Sequence, residues 1–240
     1  MSVDNYKPII FTVDGNIGSG KSTFISELKN YIKNISLQDV NIVFVQEPVD
    51  EWNKITDKNG DTILTNFYRD QDKYAFSFQI MAIVTRYEKL LEAISEAYML
   101  EKETNNKSYI LVERSIITDK YIFAKMLYES GKISDIDYKI YNKWYNIIHP
   151  TIKINKILYI QTSPTICKER IINRNRNGED DIDIEYLNQC HTYHENMMTI
   201  MEKEKVNVYR IDCEEDDIYK NSLKKNIFLK KILDDLIIKN

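Results

Sequence analysis

The chain has 240 residues, enough for one domain with a sizeable buried core. Its 43% hydrophobic and 29% charged content is ordinary for a globular protein, while a formal charge of −4 argues against a general nucleic-acid binder. No stretch approaches 18 apolar residues, so no membrane span is expected.

The N-terminal “MSVDNYKPIIFTVDG” lacks a basic n-region and an apolar h-region, so no removable leader is expected. Short β-branched runs at Ile9–Val13, Ile42–Val45, Tyr109–Val112, Ile157–Ile160 and Val206–Ile211 read as buried strands. Helical spacing covers Thr23–Lys33, then a long segment through Phe76, Ile80, Ile83, Val84, Tyr87, Leu91 and Ile94 to about Glu101. It continues in Ile117–Tyr128, Asp135–Ile148, Pro164–Asn173, Ile184–Lys203 and Ser222–Ile238. Asp57–Asp61 and Glu101–Ser108 read as exposed loops. Strands alternating with helices predict one α/β domain over residues 1–240, a five-stranded parallel sheet covered on both faces. Cys167, Cys190 and Cys213 are odd in number and scattered, which signals neither a disulfide framework nor a metal site. A reducing, cytoplasmic setting is expected.

“GNIGSGKST” (Gly15, Asn16, Ile17, Gly18, Ser19, Gly20, Lys21, Ser22, Thr23) matches G-x-x-x-x-G-K-[ST] directly after a strand and opening a helix. In that context backbone amides and a helix N-terminus face a phosphate, Lys21 reaches the β/γ-phosphates and Ser22 ligates Mg²⁺. A nucleoside triphosphate is therefore the expected ligand. A GTPase is disfavoured: “NKITD” (Asn53–Asp57) misses the N-K-x-D base reader by one position, and “NKWY” (Asn142–Tyr145) lacks the acid.

Glu47 in “QEPVDEW” follows the second strand, on the edge where open α/β sheets bind ligands, and could take a proton from an attacking hydroxyl. The third strand ends in “VERS”, which offers Glu113 for Mg²⁺ and Arg114 for charge neutralisation, or simply a surface ion pair. Further on, “RIINRNRNGED” crowds Arg170, Arg174 and Arg176 before the sign flips at Glu179, Asp180 and Asp181. A solvated helix face would explain the arginines but not the acids. His149, His191 and His194 have no partners at metal or triad spacing and read as structural.

Taken together, “GNIGSGKST”, “EPVDEW”, “FSFQ”, “ERSIITDKYIFA” and “RNRNGED…EYL” resemble the deoxynucleoside kinases of the deoxycytidine/deoxyguanosine/deoxyadenosine kinase type, from Ile9 to about Asp212. The resemblance implies a P-loop kinase fold with an arginine-rich lid at about residues 168–182. It also implies transfer of the ATP γ-phosphoryl, with Mg²⁺, to a deoxynucleoside 5′-hydroxyl. By it, Glu47 is the general base and Arg114 steadies it. Tyr68 and Glu179 bind the sugar 3′-hydroxyl, and Gln79 pairs with the base edge while Trp52, Phe78 and Phe123 wall the ring. Arg170, Arg174 and Arg176 would close over the donor phosphates.

In such enzymes an Arg/Asp pair beside the glutamine, here Arg86 and Asp119, marks acceptance of deoxycytidine or purines over thymidine. Ala82 leaves room near the base, so deoxyadenosine or deoxyguanosine is favoured and deoxycytidine remains open. Gly178 stands where relatives carry an acid, and Asp217 in “DCEEDD” where they can place an aromatic, so lid geometry and donor preference are left open. A homodimer follows from the resemblance, with Tyr141, Trp144 and Tyr145 as packing or interface residues; neither nucleic acid nor membrane is an expected partner. The competing readings are a thymidylate-kinase-type monophosphate kinase and a catalytically silent nucleotide-binding regulator.

Overall fold

Five strands pair in parallel in the computed structural model: β1 (Ile9–Gly15), β2 (Val40–Val45), β3 (Lys107–Glu113), β4 (Ile154–Gln161) and β5 (Asn207–Asp212), in the order β2-β3-β1-β4-β5. The structure describes residues 6–35, 37, 39–176, 179, 182–214, 219 and 221–237. The chain runs outward from β1 to β2, returns to β3, and crosses β1 to reach β4. The order therefore switches at β1, where open α/β sheets form their ligand crevice.

Side chains alternate across the pleat and so divide the core into two layers. Ile10, Ile110 and Ile157 pack toward α4 (Gln71–Thr104), α7 (Asp135–Ile148) and α9 (Ile184–Lys203). Their neighbours Phe11, Leu111 and Leu158 pack toward α1 (Lys21–Ile35) and the last helix, α10 (Ser222–Ile237). Phe24 of α1 is fully buried there and meets Phe228 edge-on at 6.3 Å, so its truncation to Ala should cost about 3–5 kcal/mol.

A third apolar cluster, at the carboxyl ends of the strands, joins Trp52 on the short α2 (Val49–Trp52) and Phe67 on α3 (Ile63–Arg69) to Phe78 and Ala82 on α4. This cluster walls one side of the ligand crevice.

The expected elements hold, with three differences. The loop expected over Glu101–Ser108 shrinks to Asn105 and Asn106, because α4 runs on to Thr104 and Asn105 closes it in the left-handed conformation that asparagine tolerates. The stripe read along α4 is only partly the core face: Val84 and Leu91 are exposed, while Ala82, Arg86 and Ala93 are buried. The single helix expected over Ile117–Tyr128 is three pieces, a Ser115-capped turn α5 (Ile116–Thr118), a π-helical turn (Asp119–Ala124) and α6 (Lys125–Glu129). Such wide turns often mark functional sites. Here the turn carries both Asp119 and Phe123 to the crevice.

Candidate active site

The P-loop leaves β1 between the exits of β3 and β4, with Val13 paired to Glu113 and Gly15 to Ile160. Glycine is required at two of its turns. A Cβ on Gly15 would lie 2.6 Å from the Ile160 carbonyl. One on Gly18, whose φ is +77°, would lie 2.5 Å from that of Cys167. Asn16 is buried and ties the loop to α9 through the Leu187 carbonyl at 2.9 Å. Lys21 Nζ donates to the Asn16 carbonyl at 2.7 Å. Burial, reinforced by the Arg114 charge, pushes the Lys21 ammonium down to about 7.

In front of this loop opens a cleft of about 1060 Å³, its mouth included. Lys21, Ser22, Glu113, Glu47 and Arg114 line its floor, and Trp52, Tyr68, Phe78, Gln79, Arg86, Asp119 and Phe123 its deep wall. Arg174, Arg176 and Glu179 line it from the lid. Three polar contacts organise the floor. Ser22 Oγ donates to Glu113 Oε1 at 2.6 Å. Glu47 Oε1 accepts from Arg86 Nη2 at 2.6 Å and stands 3.2 Å from Arg114 Nε. Burial alone would raise the Glu47 carboxyl, but Arg86, Arg114 and Lys21 outweigh it and hold it at about 2.

Arg114 takes φ = +61°, a left-handed backbone uncommon for a non-glycine residue and found at functional sites. Its amide donates to Val13 O at 3.0 Å, and its guanidinium lies 5.0 Å over the Phe123 ring. Arg86 sits in the same way 5.0 Å over Trp52, with Nε 3.0 Å from Asp119 Oδ1. Burial raises Asp119 to about 6 against the pull of Arg86. Several polar atoms of this wall are buried without a hydrogen-bond partner: Gln79 Oε1, Asp119 Oδ2, Arg86 Nη1 and Arg114 Nη1. Unpaired buried polar groups are costly, and these collect where a ligand would meet them.

The lid residues answer the sign flip read in the sequence. Arg174 and Arg176 both bond the Glu179 carboxylate, Arg176 at 3.3 Å. Tyr68 and Glu179 line the same cleft, and burial and then the Glu179 charge raise the Tyr68 phenol. Arg170 stands apart from its two neighbours. Its Nη1 bonds Ser19 O at 3.1 Å and its Nη2 bonds Cys213 O at 2.8 Å, bracing the P-loop from behind. Thr23 is exposed on α1 and, like Arg170, forms no part of the cleft lining. Gly178, Asp180, Asp181 and Asp217 lie outside the described residues.

Sequence reasoning missed Leu64, Phe67 and Tyr186, which also line the cleft. Phe67 stacks on Phe78 at 4.6 Å, and Tyr186 meets Tyr68 edge-on at 6.4 Å. Phe67 adjoins Tyr68 in sequence, and Tyr186 falls inside the quoted “EYL”, so both were near a signal. His194, read as structural, is fully buried with Nδ1 2.7 Å from Cys190 O.

A phosphate loop at the switch point of a parallel sheet, facing a deep polar and aromatic cleft under an arginine-bearing lid, defines a P-loop phosphotransferase. The chain belongs to the deoxynucleoside kinase family, whose model, described as Deoxynucleoside kinase, matches residues 11–238. It is similar to a probable deoxycytidine kinase of Fowlpox virus (strain NVSL), 34% identical over 227 residues, which covers 93% of this chain and 86% of that protein. It is similar also to the deoxycytidine kinase of Homo sapiens, 31% identical over 196 residues (78% of this chain, 74% of that one). The mitochondrial deoxyguanosine kinase of Xenopus laevis is 28% identical over 202 residues (78% and 72%). The chain is thus an ATP-dependent deoxynucleoside kinase. Among the described residues no helix is long and apolar enough to cross a membrane.

Proposed function

We propose that the acceptor is a deoxynucleoside whose base carries an amino group where thymine and guanine carry a carbonyl (C4 of cytosine, C6 of adenine), deoxycytidine foremost. The observation that carries this reading is that, of the four unpaired buried atoms of the wall, both acceptors (Gln79 Oε1 and Asp119 Oδ2) belong to the residues expected at the base edge, beside the Arg86 Nη1 donor, the fourth being Arg114 Nη1. Cytosine and adenine present an amino group with two N–H bonds, whereas thymine and guanine present a carbonyl oxygen at that edge. Two acceptors suit the former and repel the latter. Most of the similar proteins carry deoxycytidine kinase names, which weighs against the purine expectation. Deoxyadenosine stays as the second reading, since buried Ala82 leaves space beside the base.

In this reading Glu47 accepts the 5′-hydroxyl proton while Arg114 neutralises charge at the reacting centre. Tyr68 and Glu179 hold the 3′-hydroxyl. Trp52, Phe78 and Phe123, joined by Phe67, pack on the base. Lys21 and the P-loop amides bind the ATP phosphates, with Arg174 and Arg176 above them and Arg170 keeping the loop in shape. One hydroxyl and one carboxylate, Ser22 and Glu113, fit the sparse protein ligation that Mg²⁺ takes when substrate phosphates complete its shell. Held there, such an ion would supply positive charge to the phosphates. The remaining work is positioning, because phosphoryl transfer leaves the protein little covalent chemistry.

A homodimer is supported by exposed apolar residues on two helices that pack together, Val84 and Leu91 on α4 with Ile136, Ile140, Trp144 and Ile147 on α7. One kinase domain spanning residues 1–240, with its lid at about 168–182, completes the reading. The test is a kcat/KM panel of the four deoxynucleosides with ATP. Deoxycytidine and deoxyadenosine should lead; thymidine as the best acceptor would overturn the assignment.

A further inference from the structure

Trp52 is buried on α2, and its indole Nε1–H, a group that can only donate, lies 3.0 Å from Thr85 Oγ1 on α4. The threonine's own proton is already committed, because the hydroxyl lies 2.8 Å from the Met81 carbonyl one helical turn back. A lone pair is thereby presented to the indole. Phe78 fixes the ring at a second point, edge-on at 5.3 Å. The face of the ring carries the Arg86 guanidinium at 5.0 Å, and that guanidinium in turn bonds Glu47 at 2.6 Å and Asp119 at 3.0 Å. Thr85 and Arg86 are consecutive on α4, so a single turn of helix sets both the aromatic plate and the cation resting on it. Thr85 itself lies outside the cleft lining.

We infer that Thr85 is a positioning residue for base selection: its hydrogen bond fixes the Trp52 indole, which fixes Arg86 and so the polar edge that Arg86 and Asp119 offer to the acceptor base. This rests on the acceptor site proposed above. A guanidinium lying over an aromatic face gains from a fixed ring, since the attraction follows the ring quadrupole. A buried indole N–H left without its acceptor would turn to find another, and the plate would turn with it.

The test pairs Thr85→Val, which keeps the shape and removes the acceptor, with Thr85→Ser, which keeps the acceptor. Two tryptophans give two indole N–H signals in a ¹H–¹⁵N spectrum, and Trp144→Phe identifies which belongs to Trp52. In Thr85→Val the Trp52 signal should move upfield and exchange faster. Deoxycytidine KM should rise about tenfold with ATP KM unchanged, and the preference over thymidine should narrow. Thr85→Ser should restore all of these. Should Thr85→Val fail to fold, Thr85→Ala against Thr85→Ser makes the same comparison.

Wild-type acceptor KM and thymidine discrimination in the variant lacking the hydroxyl would overturn the inference, as would an equal rise in ATP KM. A parent protein that turns over no deoxynucleoside would instead remove the acceptor reading. Normal turnover with insensitive Thr85 variants would remove only the positioning role.

Discussion

Arg86 Nη2 lies 2.6 Å from Glu47 Oε1, joining the residue proposed to read the base to the residue proposed to take the proton of the reacting hydroxyl. The same guanidinium reaches Asp119 at 3.0 Å, so one cation serves both ends of the proposed acceptor site. A carboxylate held at about 2 by its cationic neighbours is a weak proton acceptor. Catalysis must therefore rest on alignment and charge neutralisation more than on basicity. That suits a loose phosphoryl transfer, in which the attacking hydroxyl bonds late.

In the proposed acceptor site, Asp119 makes base selection depend on pH. Its folded pKa, about 6, lies above the ordinary 3.8, so proton uptake stabilises the fold as pH falls through that window. Glu47 has the opposite sign, since its contribution is present above the ordinary range and is lost as pH falls toward about 2. A protonated Asp119 offers an O–H donor where it had offered an acceptor. The ratio of kcat/KM for deoxycytidine over thymidine should fall from pH 7 to pH 5, and Asp119→Asn should show the lowered ratio throughout. A ratio flat with pH in the parent enzyme would count against this.

Lys21 predicts proton uptake on donor binding. Burial and Arg114 lower it to about 7, so near pH 8 much of it is neutral, and arriving phosphates favour its charged form. Calorimetry in two buffers of different ionisation enthalpy should show uptake with ATP at pH 8 that disappears in Lys21→Met. The sign for stability follows: without ATP the unfolded chain holds this proton more tightly, so Lys21 adds stability as pH rises above about 7.

Glu179 is shared between the lid arginines and the proposed 3′-hydroxyl contact. Glu179→Gln should raise deoxynucleoside KM by about tenfold, the scale of a hydrogen bond to a charged group, without raising ATP KM. A rise confined to ATP would place Glu179 on the donor side instead.

The exposed apolar face of α4 and α7 supports self-association. Leu91→Glu with Ile140→Glu should convert a dimer to monomers in sedimentation equilibrium while the fold persists. A parent protein that is monomeric at all concentrations would contradict it.

The strands and the P-loop were legible because their signals are local: a β-branched run bounded by turns, or a glycine pattern between strand and helix. The residues of the cleft wall were singled out mainly through resemblance. Nothing local in “DKYIFA” reveals that a π-helical turn will carry Asp119 and Phe123 together into the cleft. Arg170 shows the limit of spacing arguments. It lies four residues before Arg174 on the same helix, yet its guanidinium is held behind the P-loop by carbonyls of Ser19 and Cys213, contacts made across the fold. Phe67 lies on a short helix that no periodic run in the sequence marks, and its ring is buried in the core as well as lining the cleft.

The most direct test of Glu47 as the proton acceptor is single-turnover transfer from ATP to deoxycytidine by Glu47→Gln, with nucleoside affinity measured in parallel. The substitution keeps the shape and removes the negative charge between Arg86 and Arg114. The expected result is a transfer rate lowered by at least about 100-fold with deoxycytidine still bound. A rate within a few-fold of the parent enzyme would contradict the role assigned to Glu47.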